Sequence, residues 1–268
     1  MTPMIKLPKI SIITPSMNQA QFIERTILSV LGQNYPFLEY IVMDGGSQDG
    51  TIDILKKYED RLKWISEKDE GQADAINKGL RMATGDIVAY LNSDDIYEQG
   101  AFARVAGYFL AHPETRWLTG RCRIIDDLDQ EVRRPITAYK NILLRRFSYS
   151  LLLITNPISQ PATFWRRQIV EELGVFDKNE HFVMDYDYWL RVGKKYPLAI
   201  LDDYLASFRV YTTSKTSSSY LRSFREEVEV AKRHSDSSML NALHWLSYLG
   251  IAASYVVLNG LARFRNKR

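Results

Sequence analysis

The chain has 268 residues, of which 46% are hydrophobic and 12% aromatic, a composition typical of a globular protein and unlike that of a disordered or collagen-like chain. Its net charge of +3 arises from Lys232 onward, where six basic residues accompany one acidic residue, so the preceding body is slightly acidic and nucleic acid is not an expected partner. The single cysteine, Cys122, excludes an intramolecular disulfide and a thiolate metal cluster, and the absence of a secretory signal pattern favours a cytoplasmic location.

Strand and helix patterns alternate through the first hundred residues. Runs of β-branched and other apolar residues predict four strands, at 9–14, 38–43, 62–66 and 86–91. Apolar residues at helical spacing predict three intervening helices, at 22–31, 51–58 and 72–82. This order predicts an α/β fold with a mostly parallel central sheet and helices on both faces.

The second half has a less regular pattern. It predicts a strand at 117–125, a basic helix at 139–147, a helix at 185–196, an extended segment at 198–211 and a polar loop at 212–219. Aromatic residues at 164–165 and 186–189 either stack on a sugar or belong to the core, and the pattern leaves both interpretations open.

The segment at 241–262 is strongly apolar and is followed by four basic residues. At about 1.5 Å per residue a helix of this length could cross a bilayer, but its histidine, serine, tyrosine and asparagine residues make it a poor spanning helix. A helix lying at an anionic membrane surface fits better. Packing on the body or on another subunit stays open, so a homo-oligomer is not excluded.

Polar clusters follow each of the first four predicted strands, at 14–18, 44–49, 67–71 and 92–95. In a parallel sheet ligands bind beyond the carboxyl ends of the strands, so we expect the four clusters to converge on one rim. Adjacent carboxylates at Asp94 and Asp95 suit a hard cation such as Mg²⁺ or Mn²⁺, although either could also cap a helix. No dinucleotide fingerprint and no phosphate-binding P-loop motif is present, which argues against dehydrogenases and P-loop kinases.

Five segments in this order resemble the motifs of family 2 glycosyltransferases, which have the GT-A fold: 12–18, 41–51, 67–79, 90–95 and 184–191. The resemblance covers residues 8–212 and is nearest to bacterial enzymes that assemble cell-surface polysaccharides. It implies an inverting enzyme that transfers a sugar from a nucleotide-sugar donor, with a UDP-sugar expected, to a sugar hydroxyl.

The resemblance also implies roles for individual residues. The nucleotide-sugar would be bound by Thr14, Pro15, Asn18, Asp44, Gly45, Asp69 and Asp94. Asp95 would ligate the Mn²⁺ or Mg²⁺ that bridges the diphosphate, and Asp185 would be the general base, unless it only caps its helix. Tyr211 stands where many relatives have a metal-binding histidine, so the metal would depend on Asp95, the diphosphate and water.

These expectations define a domain plan. Residues 1–212 form a GT-A domain, with a nucleotide-binding half at about 1–100 and an acceptor-binding half at about 101–212, and 213–268 form a helical, membrane-associated extension. The extension would place the enzyme on the inner face of the membrane and allow a lipid-linked saccharide acceptor. Two other functions stay open: a sugar-phosphate nucleotidyltransferase, whose basic triphosphate loop is missing here, and a non-catalytic scaffold.

Overall fold

The computed structural model describes residues 6–211 and 215–265, with side chains described over 6–211 and 222–253. Within these residues eight strands form one sheet in the order β3-β2-β1-β4-β7-β6-β8-β5. In chain order the strands are β1 (Ile10–Ser16), β2 (Leu38–Asp44), β3 (Lys63–Ser66), β4 (Ile87–Tyr90), β5 (Ile96–Tyr97), β6 (Trp117–Ile125), β7 (Thr163–Arg166) and β8 (Ala199–Arg209).

Ten α-helices and one short 3₁₀ helix connect the described strands. They are α1 (Ile23–Leu31), α2 (Thr51–Lys56), α3 (Gln72–Met82), α4 (Ala101–Ala111), α5 (Arg134–Arg145), α6 (Tyr149–Ile154), the 3₁₀ helix Gln160–Ala162, α7 (Gln168–Leu173), α8 (Met184–Lys195), α9 (Lys215–His234) and α10 (Ser238–Arg265). Helix α3 lies very close to β1, because a Cβ atom on Gly79 would be 2.5 Å from Cγ2 of Ile13. Only glycine permits this approach without a shift of the core.

The predicted α/β order of the first hundred residues is confirmed, and the sheet is mostly parallel. Strands β1, β2, β3 and β4 pair in parallel, as do β6 and β8. Strand β7 is inserted antiparallel between β4 and β6, and β5 pairs antiparallel with β8. The second half of the chain therefore departs from simple β-α alternation.

The prediction of a polar loop over 212–219 was wrong for its second part. Residues 215–219 begin α9, while residues 212–214 lie outside the described residues. Serine and threonine are common near helix starts, so a polar run there resembles a loop when it is considered without its tertiary contacts.

The aromatic runs of the second half belong to the core. The side chains of Trp117, Trp165 and Trp189 are fully buried, and Trp189 stacks on Trp117 with ring centroids 5.6 Å apart. Phe176 packs against Tyr188 at 4.4 Å. Because these rings are buried and pack on one another in the core, they cannot stack on a sugar.

The two C-terminal helices pack on the body through histidine contacts. On α9, His234 Nε2 lies 3.0 Å from Oδ1 of Asp187 on α8. On α10, the buried His244 has its Nδ1 2.8 Å from the carbonyl oxygen of Leu153 on α6. Among the described residues we find no helix that combines the length and the apolarity needed to cross a membrane.

Candidate active site

A cavity of about 1480 Å³ lies at the carboxyl ends of the parallel strands and extends beneath α5, α9 and α10. Its wall includes four of the predicted site residues, Pro15, Asp69, Asp94 and Asp185. Pro15 comes from β1, Asp69 follows β3, Asp94 follows β4, and Asp185 lies in the first turn of α8. The fold thus brings side chains from distant parts of the sequence to one cavity, as expected for a ligand site at this rim.

The two adjacent aspartates face different surroundings. Asp95 is 0% exposed; its Oδ1 accepts the backbone N–H of Arg209 at 2.8 Å, and its Oδ2 accepts the side-chain amide of Asn92 at 3.3 Å. Asp94 instead lines the cavity, where the Tyr211 hydroxyl donates to its Oδ2 at 3.0 Å. The geometry therefore favours Asp94 over Asp95 as the carboxylate that meets a ligand, and the metal role given to Asp95 stays a prediction.

Burial makes the ionisation of both carboxyl groups unfavourable. Burial raises the pKa of Asp94, against the hydrogen bond from Tyr211. Burial and the charge of Asp94 together raise the pKa of Asp95 well above its usual range. A cation near Asp94 would stabilise the ionised form of both carboxyl groups.

One buried guanidinium holds the pair in place. Arg209 is 1% exposed, and its Nε donates to the backbone carbonyl of Asp94 at 2.7 Å. Its Nη1 lies 2.5 Å from Oδ1 of Asp129, and its guanidinium sits 4.9 Å from the ring centroid of Phe22. Arg209, the last residue of β8, and Tyr211, two residues further along the chain, thus both hydrogen-bond to Asp94.

Four other predicted nucleotide-binding residues do not line the cavity. Thr14 is fully buried, with its hydroxyl 3.1 Å from that of Tyr40. Asn18 has a positive φ of 51°, and its side chain accepts the backbone N–H of Gln48 at 2.8 Å, which joins the first two loops. The roles given to these residues stay predictions, and their observed contacts hold the loops together.

Asp44, the last residue of β2, and Gly45 lie at the start of the second loop. The Asp44 carboxylate accepts the backbone N–H groups of Gly46 at 3.0 Å and Ser47 at 2.8 Å, and the Ser66 hydroxyl at 2.7 Å. A Cβ atom on Gly45 would lie 2.8 Å from Oδ2 of Asp69, so glycine allows the second and third loops to meet here without a shift of the Asp69 side chain. Nucleotide binding by Asp44 would need some of these hydrogen bonds to be exchanged.

Asp185 lies in the first turn of α8, and its role as a base stays a prediction. Its Oδ1 accepts the backbone N–H of Tyr186 at 2.8 Å, and the positive end of the α8 dipole favours its ionised form. Burial, and after it the charges of Asp185 and Asp95, raise the pKa of Tyr90. Asp187, two residues further, lies 2.9 Å from Arg191, contacts His234 and does not line the cavity.

The sequence analysis missed several charged residues of the cavity wall, among them Lys140 on α5 and Glu227 on α9. Burial and the charge of Asp185 raise the pKa of Glu227 to about 8, against the effect of Lys140. Burial lowers the pKa of Lys140. A lysine in a basic helix and a glutamate in a charged helix resemble ordinary surface residues in sequence, so only the packing of α5 and α9 identifies them.

Comparisons with known proteins identify the family. The sequence model described as "Glycosyl transferase family 2" matches residues 11–174. The chain belongs to glycosyl transferase family 2. This confirms the predicted family and the predicted enzyme class, a glycosyltransferase that depends on a nucleotide-sugar.

Curated relatives place the family match across most of the chain. An uncharacterized glycosyltransferase of Haemophilus influenzae is 27% identical over 245 residues, covering 88% of this chain and 76% of its own. A putative teichuronic acid biosynthesis glycosyltransferase of Bacillus subtilis is 36% identical, covering 48% of this chain and 54% of its own. The match thus spans 76% of the Haemophilus protein but only 54% of the Bacillus protein.

Solved structures confirm the GT-A architecture. A mannosyltransferase from Pyrobaculum calidifontis in complex with GDP-Man and Mn²⁺ superposes with a TM-score of 0.68 at 20% identity, covering 96% of this chain and 81% of its own. TarS of S. aureus superposes with a TM-score of 0.66 at 17% identity, covering 90% of this chain and 43% of its own. At these identities the likeness shows the shared fold.

Proposed function

We propose that this chain transfers a sugar, with inversion, from a UDP-sugar to a saccharide hydroxyl with the help of a divalent cation. One observation carries the proposal: a single cavity is lined both by the carboxylate at the end of β4, Asp94, and by the carboxylate at the start of α8, Asp185. The first suits the diphosphate and its cation, and the second suits the attacking hydroxyl. The family supports the reaction class, and S. aureus TarS has been solved in complex with UDP and with UDP-GlcNAc.

Asp94 is the residue of this chain that would hold the cation. Mg²⁺ and Mn²⁺ prefer oxygen ligands and are commonly held by one or two carboxylates together with substrate phosphates and water. The raised pKa of the buried Asp94 fits this, because a cation would relieve the cost of its ionisation. No group of three or more metal-ligating side chains occurs in the described part of the chain, so substrate would supply most ligands. When bound, the cation would neutralise charge on the departing nucleoside diphosphate.

The remaining chemistry belongs to the side chains. Asp185 would take the proton of the acceptor hydroxyl as that oxygen attacks the anomeric carbon from the face opposite the diphosphate, which inverts the configuration. A positioned base of this kind contributes about 10²–10⁴-fold to the rate. Arg209 and Tyr211 would orient Asp94, while Pro15 and Asp69 would border the nucleotide.

The biological setting follows the family. We propose a role in polysaccharide biosynthesis at the inner face of the cell membrane, with the nucleotide-sugar supplied from the cytoplasm. An anionic lipid surface would bind the C-terminal helix, since α10 exposes Met239, Leu246 and Leu249 and four basic residues follow position 262. Pairing of α10 with a second copy would cover the same face, and sedimentation with anionic vesicles at low protein concentration separates the two.

The test uses slow donor hydrolysis, for which no acceptor is required. The full chain would be incubated with Mn²⁺ and, separately, UDP-glucose, UDP-galactose, UDP-GlcNAc and GDP-mannose, while NMR follows the anomer that is released first. We expect one UDP-sugar to be hydrolysed with the β-anomer formed first, and Asp185→Asn to abolish this. Release of the α-anomer first would exclude inversion, and hydrolysis of GDP-mannose alone would exclude a UDP-sugar.

A further inference from the structure

The cavity is larger than one small ligand requires. Pockets for small molecules and cofactors commonly enclose about 300–1,000 Å³, whereas this cavity encloses about 1480 Å³. Of the carboxylates that line it, Asp94 marks the proposed donor side and Asp185 the start of the acceptor side. The remaining volume extends from Asp185 towards α5, α9 and α10.

The wall of this extension is mainly apolar. Its apolar side chains come from α5, from the segment before α8, and from α9 and α10; they are Pro135, Ile136, Leu143, Phe182, Phe224 and Ile251. Ser247 and Gly250 complete the face that α10 turns towards the cavity. Apolar surface that faces a solvent-filled cavity is unfavourable unless a ligand covers it.

Two charged side chains, Lys140 of α5 and Glu227 of α9, line the cavity together with Asp185. Both lie close enough to Asp185 for its charge to influence them. A saccharide hydroxyl cluster bound there could accept from the ammonium group and donate to the carboxylates.

Tyr139 on α5 lines the cavity and is 49% exposed, so the extension opens to solvent beside this residue. Ile142 on α5 and Leu246 and Leu249 on α10 are also exposed, but none of the three lines the cavity.

Resting on the proposed transferase function, we propose that the acceptor is an amphiphilic glycoside. Its saccharide end lies among Asp185, Lys140 and Glu227, and its alkyl aglycone lies between α5 and the two C-terminal helices, along Leu143, Phe224 and Ile251. The C-terminal helices thereby form one wall of the acceptor subsite, in addition to any contact they make outside it.

The test compares two glycosides that differ only in their aglycone. Binding of radiolabelled octyl and methyl β-D-glucopyranoside would be measured by equilibrium dialysis, below the micelle concentration, with UDP and Mn²⁺ present. Each buried methylene increases affinity about fourfold. Burial of three or four of the seven additional methylenes therefore predicts that the octyl glycoside binds about 100-fold more tightly.

Each of two helices provides a matched pair of variants. Ile251→Gln on α10 and Leu143→Gln on α5 change cavity-lining side chains, whereas Leu246→Gln and Ile142→Gln on the same helices change side chains that are 64% and 53% exposed and do not line the cavity. We expect each cavity variant to weaken octyl glycoside binding at least tenfold and each outer variant to leave it unchanged. UDP binding is expected to be unchanged in all four.

The outcomes separate this inference from the proposed function. If wild-type protein binds UDP but binds the two glycosides equally, or if the outer variants weaken octyl binding as much as the cavity variants, the acceptor subsite is wrong. If wild-type protein binds no nucleotide, the proposed function itself fails. Thermal unfolding of each variant shows whether it is folded, and the pair on α5 tests the inference independently of α10.

Discussion

Replacement of Glu227 by glutamine tests the electrostatics of the acceptor side. The pKa of Glu227 is raised from 4.5 to about 8 by burial and by the charge of Asp185. An unfolded chain releases this proton near pH 4.5, whereas the folded chain keeps it until about pH 8. The folded state therefore binds the additional proton in this window, and the free energy of unfolding falls as the pH rises through it.

The size of the effect follows from the same values. A full proton difference changes the free energy of unfolding by about 1.4 kcal/mol per pH unit. The cavity admits water, which screens the carboxylate, so we expect wild-type protein to lose about 1–2 kcal/mol relative to Glu227→Gln between pH 6 and pH 8.

Urea denaturation at pH 6, 7 and 8 measures this difference. Glu229→Gln is the matched control, because Glu229 lies on the same helix with its side chain 60% exposed. We expect the control to follow the wild type at every pH. If the stability of Glu227→Gln also stays parallel to that of the wild type, Glu227 is not a buried acid in the folded protein, and the charge arrangement around Asp185 is wrong.

Four further substitutions have expected outcomes. Asp185→Asn should lower donor hydrolysis at least 100-fold in a UDP-release assay and leave UDP affinity unchanged; a loss below tenfold would contradict its role as a base. Gly79→Ala should destabilise the fold by about 1–3 kcal/mol in urea denaturation, because the new Cβ atom would lie 2.5 Å from Ile13. Gly107→Ala, which places a Cβ atom in open space on α4, should instead stabilise the fold by about 0.5–1 kcal/mol. Burial alone would raise the pKa of Glu39, but hydrogen bonds from Ser11 and Thr84 lower it to about 2. Glu39→Gln should therefore lower the free energy of unfolding by about 3 kcal/mol at pH 7 and by clearly less at pH 3. An equal loss at both pH values would refute this.

Local patterns were sufficient to predict the strands and helices up to β4. The β-branched run of β1 and the amphipathic spacing of α3 repeat at regular intervals, and such periodicity determines both the element type and the face that is buried. The polar residues at the carboxyl ends of these strands could therefore be placed at one rim before any coordinates were known. Pro15, Asp69 and Asp94 do lie at the cavity.

Distinguishing neighbouring residues required three dimensions. Asp94 and Asp95 cannot be distinguished in the sequence. In the structure, the end of β8 lies beside them, where the backbone N–H of Arg209 binds the Asp95 carboxylate, while Asp94 lines the cavity. Strand β7 was missed because it is an antiparallel strand inserted between β4 and β6, outside the strand–helix alternation on which the prediction depended. Glu227 was missed because nothing in α9 shows locally that this helix packs against Asp185.

The central claim is that Asp94 and a divalent cation hold the diphosphate of the donor. Its most direct test is the thermal shift of the full chain with UDP, GDP, CDP and dTDP, each with Mn²⁺ and again with EDTA, for the wild type and for Asp94→Asn. Ligand at 100 times its Kd stabilises a protein by about 2.7 kcal/mol, which is readily visible as an increase in Tm. We expect a shift with UDP and Mn²⁺ that EDTA and Asp94→Asn both abolish. A shift that survives either change would contradict the account.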